Sequence, residues 1–162
     1  MITIITGPIN SGKTTKMEDI FKSDREGDGF ITLKLIENTI VEGFDIMKIS
    51  SKEIKPFIRR RGNEPPEWKE NCFLGPYTVS EKALKWVTED IERLINNGLF
   101  PIYLDEIGVL ELKEKCFYKI LKEMLKTENE IYISTRDENL DAVISKFGIT
   151  GAKIIKTGAR YA

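Results

Sequence analysis

Apolar runs and helical periodicities alternate along the chain and predict an α/β fold. Residues 2–6 form a continuous apolar run, typical of a strand buried in a parallel sheet. Similar runs predict further strands, at residues 30–37, 40–49, 101–104, 131–134 and 153–156. Apolar residues at helical spacing predict four helices, over residues 13–22, from Ser80 to the Asn-Asn-Gly at 96–98, and over 115–126 and 140–147.

The order of these elements predicts a single P-loop domain over residues 1–162 with three layers, α/β/α. Because strands alternate with helices, we expect a mostly parallel sheet with an inserted β-hairpin that turns near Asn38. Residues 50–79 are rich in proline and glycine and are predicted to be irregular. A loop of that length in a compact domain is usually functional or mobile.

Composition narrows the class of protein. The formal net charge is −1, so nothing predicts attraction to nucleic acid or to an anionic membrane. No apolar run approaches the length of a membrane span, and residues 2–6 are too short for a signal peptide. Two cysteines make no disulfide framework. We therefore expect a cytoplasmic protein without a membrane or a specific nucleic-acid partner. We also predict a monomer, which none of these features determines.

Residues 7–14 match the phosphate-loop motif G-x-x-x-x-G-K-[ST]. Gly7 and Gly12 allow a tight backbone nest whose N–H groups face phosphate oxygens. A helix that begins near Lys13 adds its positive end, and the Lys13 ammonium can reach the β- and γ-phosphates. The Thr14 hydroxyl is placed to ligate Mg²⁺. The predicted nucleotide contacts here are Gly7, Pro8, Ile9, Asn10, Ser11, Gly12, Lys13, Thr14 and Thr15.

An acidic pair, Asp105 and Glu106, follows the apolar strand at residues 101–104 and is typical of a Walker B segment. Parallel strands end at one edge of a sheet, so we expect Asp105 beside the phosphate loop, where it can hold Mg²⁺. A glutamate one position later can face the γ-phosphate and polarise a water molecule. Glu106 is the predicted water activator.

The residue types that are missing restrict the chemistry further. The chain contains neither histidine nor glutamine, which excludes a Ser-His-Asp triad, an HExxH metal site and a Ras-like water-positioning glutamine. Charge on a transferring phosphoryl group usually requires an arginine as well. The candidates are Arg136, at the end of a predicted strand, and the Arg59–Arg61 triplet in the predicted loop, which could close over the nucleotide.

Several segments resemble the THEP-type nucleoside-triphosphatase family, small P-loop enzymes of archaea, bacteria and animals. Residues 105–112 are similar to its DEIG-x-x-E-L signature. Residues 28–32 resemble its G-F-x-T strand, residues 43–45 its G-F-D, and residues 75–79 its G-x-Y-x-V element. Ile9-Asn10-Ser11 stands where the family prefers Pro-Gly-Val or similar, and Val109 replaces a common lysine.

This resemblance implies a RecA-like core that hydrolyses ATP, GTP and other nucleoside triphosphates to the diphosphate and phosphate. Arg136 matches an arginine that the family carries after the corresponding strand. The resemblance also implies nucleotide contacts around the acidic pair: Ile102, Tyr103, Leu104, Asp105, Glu106, Ile107, Gly108 and Val109.

The favoured hypothesis is an Mg²⁺-dependent hydrolase of ATP, GTP, CTP and UTP. Lys13, Glu106 and Arg136 would be catalytic, and Thr14 and Asp105 would hold the metal. A nucleotide or nucleoside kinase is the alternative, because residues 50–79 are long enough for an acceptor lid. A third possibility is a nucleotide-driven switch whose slow hydrolysis times a partner interaction.

Overall fold

The structure is a computed structural model that describes residues 1–158; the last four residues of the predicted domain lie outside the described residues. The described residues contain nine strands: β1 (Ile2–Gly7), β2 (Asp28–Glu37), β3 (Ile40–Lys48), β4 (Ile54–Arg60), β5 (Glu70–Leu74), β6 (Tyr77–Ser80), β7 (Ile102–Leu104), β8 (Ile131–Arg136) and β9 (Lys153–Lys156). They also contain five α-helices: α1 (Lys13–Asp24), α2 (Glu81–Asn96), α3 (Val109–Leu112), α4 (Tyr118–Lys126) and α5 (Leu140–Phe147).

The strands form one mixed sheet in the order β5-β6-β4-β3-β2-β7-β8-β1-β9. Its parallel half runs from β2 to β9, and the carboxyl ends of those strands meet at one edge. The pairings from β2 outward to β5 are all antiparallel. The prediction of a mostly parallel sheet is therefore wrong, because half of the strand pairings in residues 1–158 are antiparallel.

Three of the antiparallel strands, β4, β5 and β6, come from residues 50–79, the segment that the sequence predicts to be irregular. Pro56 pairs with Asp45 next to a register shift, and a bulge is a place where a strand tolerates a missing N–H. Gly75, with a φ of +56°, and Pro76 form the turn of the β5–β6 hairpin. Pro56 therefore lies at a bulge within the sheet, and Pro76 lies in a hairpin turn between two of its strands.

The inserted β2–β3 hairpin is confirmed. Asn38 and Thr39 form its turn with φ values of +50° and +65°, the conformation that matches the twist of two-residue hairpins. The helices are also found where the periodicity predicts them, except that α4 begins at Tyr118 after a separate short α3.

Helices cover both faces of the sheet, so the three-layer arrangement holds for the described residues. On one face, Met17 of α1 packs on Ile5, Ile31 and Tyr103. On the other face, α2, α4 and α5 pack on alternate residues of the same strands, including Ile4, Ile102 and Leu104. Strand β7, between β2 and β8, is buried on both sides, which explains its uninterrupted apolar sequence.

No helix in the described part of the chain is long and apolar enough to cross a membrane.

Ser80 caps the N-terminus of helix α2. The Ser80 hydroxyl accepts a hydrogen bond from the Ala83 N–H at 3.1 Å. Replacing Ser80 by alanine removes this bond and should lower the free energy of unfolding by about 1 kcal/mol in urea titrations. Ser145→Ala, at an exposed position within α5, is the matched control and should change it by less than about 0.5 kcal/mol. Equal effects of the two substitutions would contradict the capping role.

Candidate active site

The phosphate loop lies between β1 and α1 at the carboxyl edge of the parallel strands. Gly12 takes a φ of +89° directly before the helix, a conformation that favours glycine. A Cβ atom at Gly7 would collide with the side chains of Ser11 and Thr157, so this position also requires glycine. The loop is further fastened by a hydrogen bond of 2.6 Å between the Ser11 and Thr157 hydroxyls.

Lys13 lies over its own loop. Its side chain is 6% exposed, and Nζ donates to the carbonyl oxygens of Gly7 and Pro8 at 3.2 and 2.9 Å. Burial lowers the pKa of the ammonium, while Glu106 and Asp105 act in the opposite direction. The cation is therefore held ready at the loop by weak carbonyl partners that an anionic phosphate can replace.

Asp105 is 1% exposed and its carboxylate is surrounded by hydrogen-bond donors. Oδ2 accepts from the Thr14 hydroxyl at 2.7 Å, and from the backbone N–H and hydroxyl of Thr32 at 3.0 and 3.2 Å. Oδ1 accepts a short bond from the Ser134 hydroxyl. The predicted meeting of the phosphate loop and the acidic strand is confirmed by the contact between Thr14 and Asp105.

This pair fits a magnesium site by its chemistry. A hydroxyl and a carboxylate are hard oxygen donors, and Mg²⁺ typically takes one or two protein ligands and completes its shell with phosphate and water. In residues 1–158 no group of three or more His, Cys, Asp and Glu side chains is placed to hold a metal ion. The Thr14 hydroxyl and the Asp105 carboxylate, 2.7 Å apart, are a pair that could hold such an ion together with phosphate and water.

Glu106 continues from Asp105 in the left-handed conformation, with a φ of +62°. This turn directs its side chain into the open cavity beside the phosphate loop instead of back into the sheet. Its backbone N–H donates to Ser134 Oγ at 2.8 Å. Burial raises the pKa of the Glu106 carboxyl, and Asp105 raises it further, whereas Arg136 and Lys13 lower it.

The cavity has a volume of about 440 Å³, within the range of small-molecule sites. Besides the loop and its Lys13, it is lined by Lys34, Phe44, Glu106 and Arg136. Lys34 and Arg136 thus add two further cations to the cavity that Lys13 lines. The N–H groups of the phosphate loop and the cationic side chains suit this edge of the sheet to a polyphosphate, and the oxygens of Thr14 and Asp105 suit it to a divalent cation.

A sequence profile of a family described as "NTPase" matches residues 2–156. The chain belongs to the THEP-type nucleoside-triphosphatase family. A human relative, the cancer-related nucleoside-triphosphatase, is 30% identical over 139 residues, covering 81% of this chain and 72% of the human protein. The nucleoside-triphosphatase THEP1 of Pyrobaculum islandicum is 31% identical over 147 residues, covering 89% of this chain and 78% of that protein. The chain is therefore a nucleoside-triphosphate hydrolase.

The fold has a solved counterpart within this family. The crystal structure of THEP1 from Aquifex aeolicus superposes with a TM-score of 0.72 at 22% identity, covering 97% of this chain and 90% of that one. The superposition supports a P-loop NTPase fold of the α/β class.

For this family member, the structure separates the two groups of arginine candidates. Arg136 ends β8 and lines the cavity, with a loose contact of 3.9 Å to Glu138. Arg59 lies within β4, where it pairs with Asp45 at 2.6 Å and donates to two carbonyl oxygens. Arg60 and Arg61 bond or stack with residues of the antiparallel half. None of the triplet lines the cavity, because this segment is a strand and not a lid.

The predicted contacts around the acidic pair fall into two classes. Ile102, Tyr103 and Leu104 are fully buried within β7, so their side chains position the acids and face the core. Ile107, Gly108 and Val109 lie beyond Glu106 and line a second, largely apolar pocket that shares Glu106 and Arg136 with the phosphate cavity. Ile9 to Thr15 line the phosphate cavity directly.

Sequence reasoning missed three residues of the site. Thr32 and Ser134 hold Asp105 from the strands on either side of β7, and Lys34 lies at the cavity mouth. Two of them carried a signal, since Thr32 and Ser134 are polar residues that directly follow the apolar runs of their strands. Only the register, which sets Leu104 between Phe30 and Ile133, shows that both hydroxyls reach the same carboxylate.

A second buried acid, Glu111 of α3, is 3% exposed and accepts a hydrogen bond from Gly108, two residues beyond Glu106. Burial raises the pKa of its carboxyl to about 7, although backbone N–H groups of Gly108 and Phe117 act to lower it. The folded state therefore binds a proton that the unfolded chain, with a pKa near 4.5, releases. The stability gained from that proton is complete below pH 4.5 and is lost as the pH rises through 7.

Glu111→Gln removes this titration. We expect the free energy of unfolding of the wild type, relative to that of the variant, to fall by roughly 2 kcal/mol between pH 5 and pH 8 in urea titrations. Glu123→Gln, at a side chain that is 56% exposed on α4, is the control and should show no such slope. A difference between wild type and Glu111→Gln that does not vary with pH would refute the raised pKa.

Proposed function

We propose that this chain is a Mg²⁺-dependent enzyme that hydrolyses ATP, GTP, CTP and UTP to the nucleoside diphosphate and phosphate. The observation that carries the proposal is the contact of 2.7 Å between the Thr14 hydroxyl and the Asp105 carboxylate, with Lys13 and Glu106 at the same edge. The names of the relatives support nucleoside triphosphates as the class of substrate.

The phosphate loop and the metal ligands would bind the triphosphate. Lys13 would exchange its carbonyl partners for β- and γ-phosphate oxygens, and Thr14 and Asp105 would hold Mg²⁺. When bound, the metal supplies charge neutralisation at the phosphates. Thr32 and Ser134 keep the Asp105 carboxylate oriented, so this ligand requires little rearrangement during binding.

Glu106 would accept the proton of the attacking water. It is the carboxylate that faces the cavity, and its elevated pKa increases its basicity relative to an exposed glutamate. Arg136 and Lys34 approach the same space and would stabilise charge on the transferring phosphoryl group. The RecA-like assignment of the core belongs to this proposal and is supported by the five parallel strands β2, β7, β8, β1 and β9.

We expect the enzyme to accept nucleotides with different bases, because its binding energy would come from contacts to the phosphates and the metal. The named contacts recognise phosphate and metal, which are common to all four nucleotides, and the chain carries no N-K-x-D sequence for guanine.

The relatives are named nucleoside-triphosphatases and give no support to the kinase alternative. The segment that suggested an acceptor lid forms strands β4 to β6. The monomeric state and the cytoplasmic location stay predictions.

Lys13→Ala should abolish most phosphate release in the presence of Mg²⁺, because the loop loses its only side-chain cation for the β- and γ-phosphates. We expect at least a 100-fold loss of kcat/KM with each of the four nucleotides, and a comparable loss when wild type is treated with a chelator. Lys22→Ala, at an exposed lysine of the same helix, should retain wild-type rates. Release that persists in Lys13→Ala would contradict the site.

Glu106→Gln tests the water activator. The amide is similar in size but cannot take a proton, so kcat should fall by about 100-fold or more while diphosphate affinity changes by less than about threefold. Rates from a phosphate-release assay and affinities from calorimetry separate these effects. Glu123→Gln is again the control. A large loss of affinity with an unchanged kcat would assign Glu106 to binding instead.

A further inference from the structure

The carboxylate of Glu111 joins two separate pieces of backbone. Oε1 accepts from the Gly108 N–H at 2.8 Å, and Oε2 accepts from the Phe117 N–H at 3.1 Å. The Cys116 side chain lies beside the same carboxyl group and acts to lower its pKa. A carboxylate is required for this bridge, because it offers an acceptor at both oxygens, whereas an amide offers one acceptor and one donor.

The Gly108 end of this bridge determines the course of the chain after Glu106. On the upstream side, Ser134 fixes the segment twice: its hydroxyl accepts from the Glu106 N–H, and its carbonyl oxygen accepts from the Ile107 N–H at 2.9 Å. On the downstream side, Glu111 receives the next N–H, that of Gly108. Glu106 takes a left-handed conformation that is costly for a non-glycine residue, and it is held there from both sides.

The Phe117 end anchors the wall of the second pocket. Phe117 stacks on Phe57 of β4, with ring centroids 5.3 Å apart and planes inclined by 17°. Both rings line the apolar pocket that opens onto Glu106 and Arg136. Glu111 therefore connects the backbone at Gly108 with the Phe57–Phe117 stack, which belongs in part to the antiparallel half of the sheet.

We propose that Glu111 is a positioning residue for Glu106: as a carboxylate it holds the backbone of residues 106–108 so that the Glu106 side chain faces the terminal phosphate. The inference rests on the proposed role of Glu106 in hydrolysis. Within residues 1–158 the hydrogen-bond partners of this buried carboxylate are backbone N–H groups and not a cation, an arrangement that opposes stability when the group is ionised. A role at the neighbouring site gives a functional reason for its presence.

Protonation of Glu111 would convert one oxygen from an acceptor into a donor and release one of the two N–H groups. The titratable groups that face it are the thiol of Cys116 and, from β5, that of Cys72, and burial raises both of their pKa values; Lys115 approaches Cys72 from the outer side. Those thiols stay protonated through neutrality. As the pH falls through 7, positioning should therefore weaken while the fold gains stability.

The test compares wild type, Glu111→Gln and the exposed control Glu123→Gln between pH 5.5 and 8.5. At pH 8 we expect Glu111→Gln to lower kcat by 10- to 100-fold, with KM and diphosphate affinity within about threefold of wild type. Because the wild type loses the bridge as it is protonated, the ratio of its kcat to that of the variant should fall at least fivefold between pH 8 and pH 5.5. The control should follow the wild type at every pH.

A second readout does not depend on turnover. Hydrogen exchange of the Ile107 and Gly108 amides should accelerate at least tenfold in Glu111→Gln, and in wild type as the pH falls, after correction for intrinsic rates. Glu111→Asp, which keeps the charge on a shorter side chain, should show the same loss of protection if the glutamine variant does not fold.

The outcomes are distinguishable. Unchanged amide protection, or a kcat ratio that does not vary with pH, overturns the positioning role while leaving the proposed hydrolysis intact. A wild type that releases no phosphate overturns the proposed function, and the exchange measurement then decides separately whether Glu111 holds residues 106–108.

Discussion

The buried carboxylate of Asp105 is the constraint on which the rest of the site depends. It accepts hydrogen bonds from Thr14 at the start of α1, from Thr32 on β2 and from Ser134 on β8, so it connects the phosphate loop with three adjacent strands. A charge at this depth is tolerable only because each oxygen is satisfied. Its orientation in turn fixes the starting point of Glu106, the residue that follows it.

The antiparallel half of the sheet gives this arrangement its second wall. Strands β3 and β4 bring Phe44 and Phe57 alongside residues 106–108, and Phe57 stacks on Phe117 at the start of α4. The phosphate cavity is the more polar and the more open of the two, and the neighbouring pocket is largely apolar. Glu106 and Arg136 line both, so they lie at the boundary between them.

Local patterns predicted the positions of the candidate site residues better than they predicted the sheet. The phosphate loop, the acidic pair and Arg136 each come at the end of a strand that an apolar run indicates, and the cap at Ser80 is local as well. Strands β4 to β6 were missed because Pro56 and Gly75 resemble loop signals until the bulge and the hairpin turn are seen. The convergence of distant hydroxyls on Asp105 depends on strand register, which no single segment encodes.

The proposed hydrolysis requires water to attack the γ-phosphorus of a bound nucleoside triphosphate at this edge of the sheet. The decisive experiment is a single turnover in ¹⁸O-labelled water, with Mg²⁺ and without any acceptor. We expect one solvent oxygen in each released phosphate and none in the diphosphate. Label in the diphosphate, or phosphate without solvent oxygen, would rule this mechanism out.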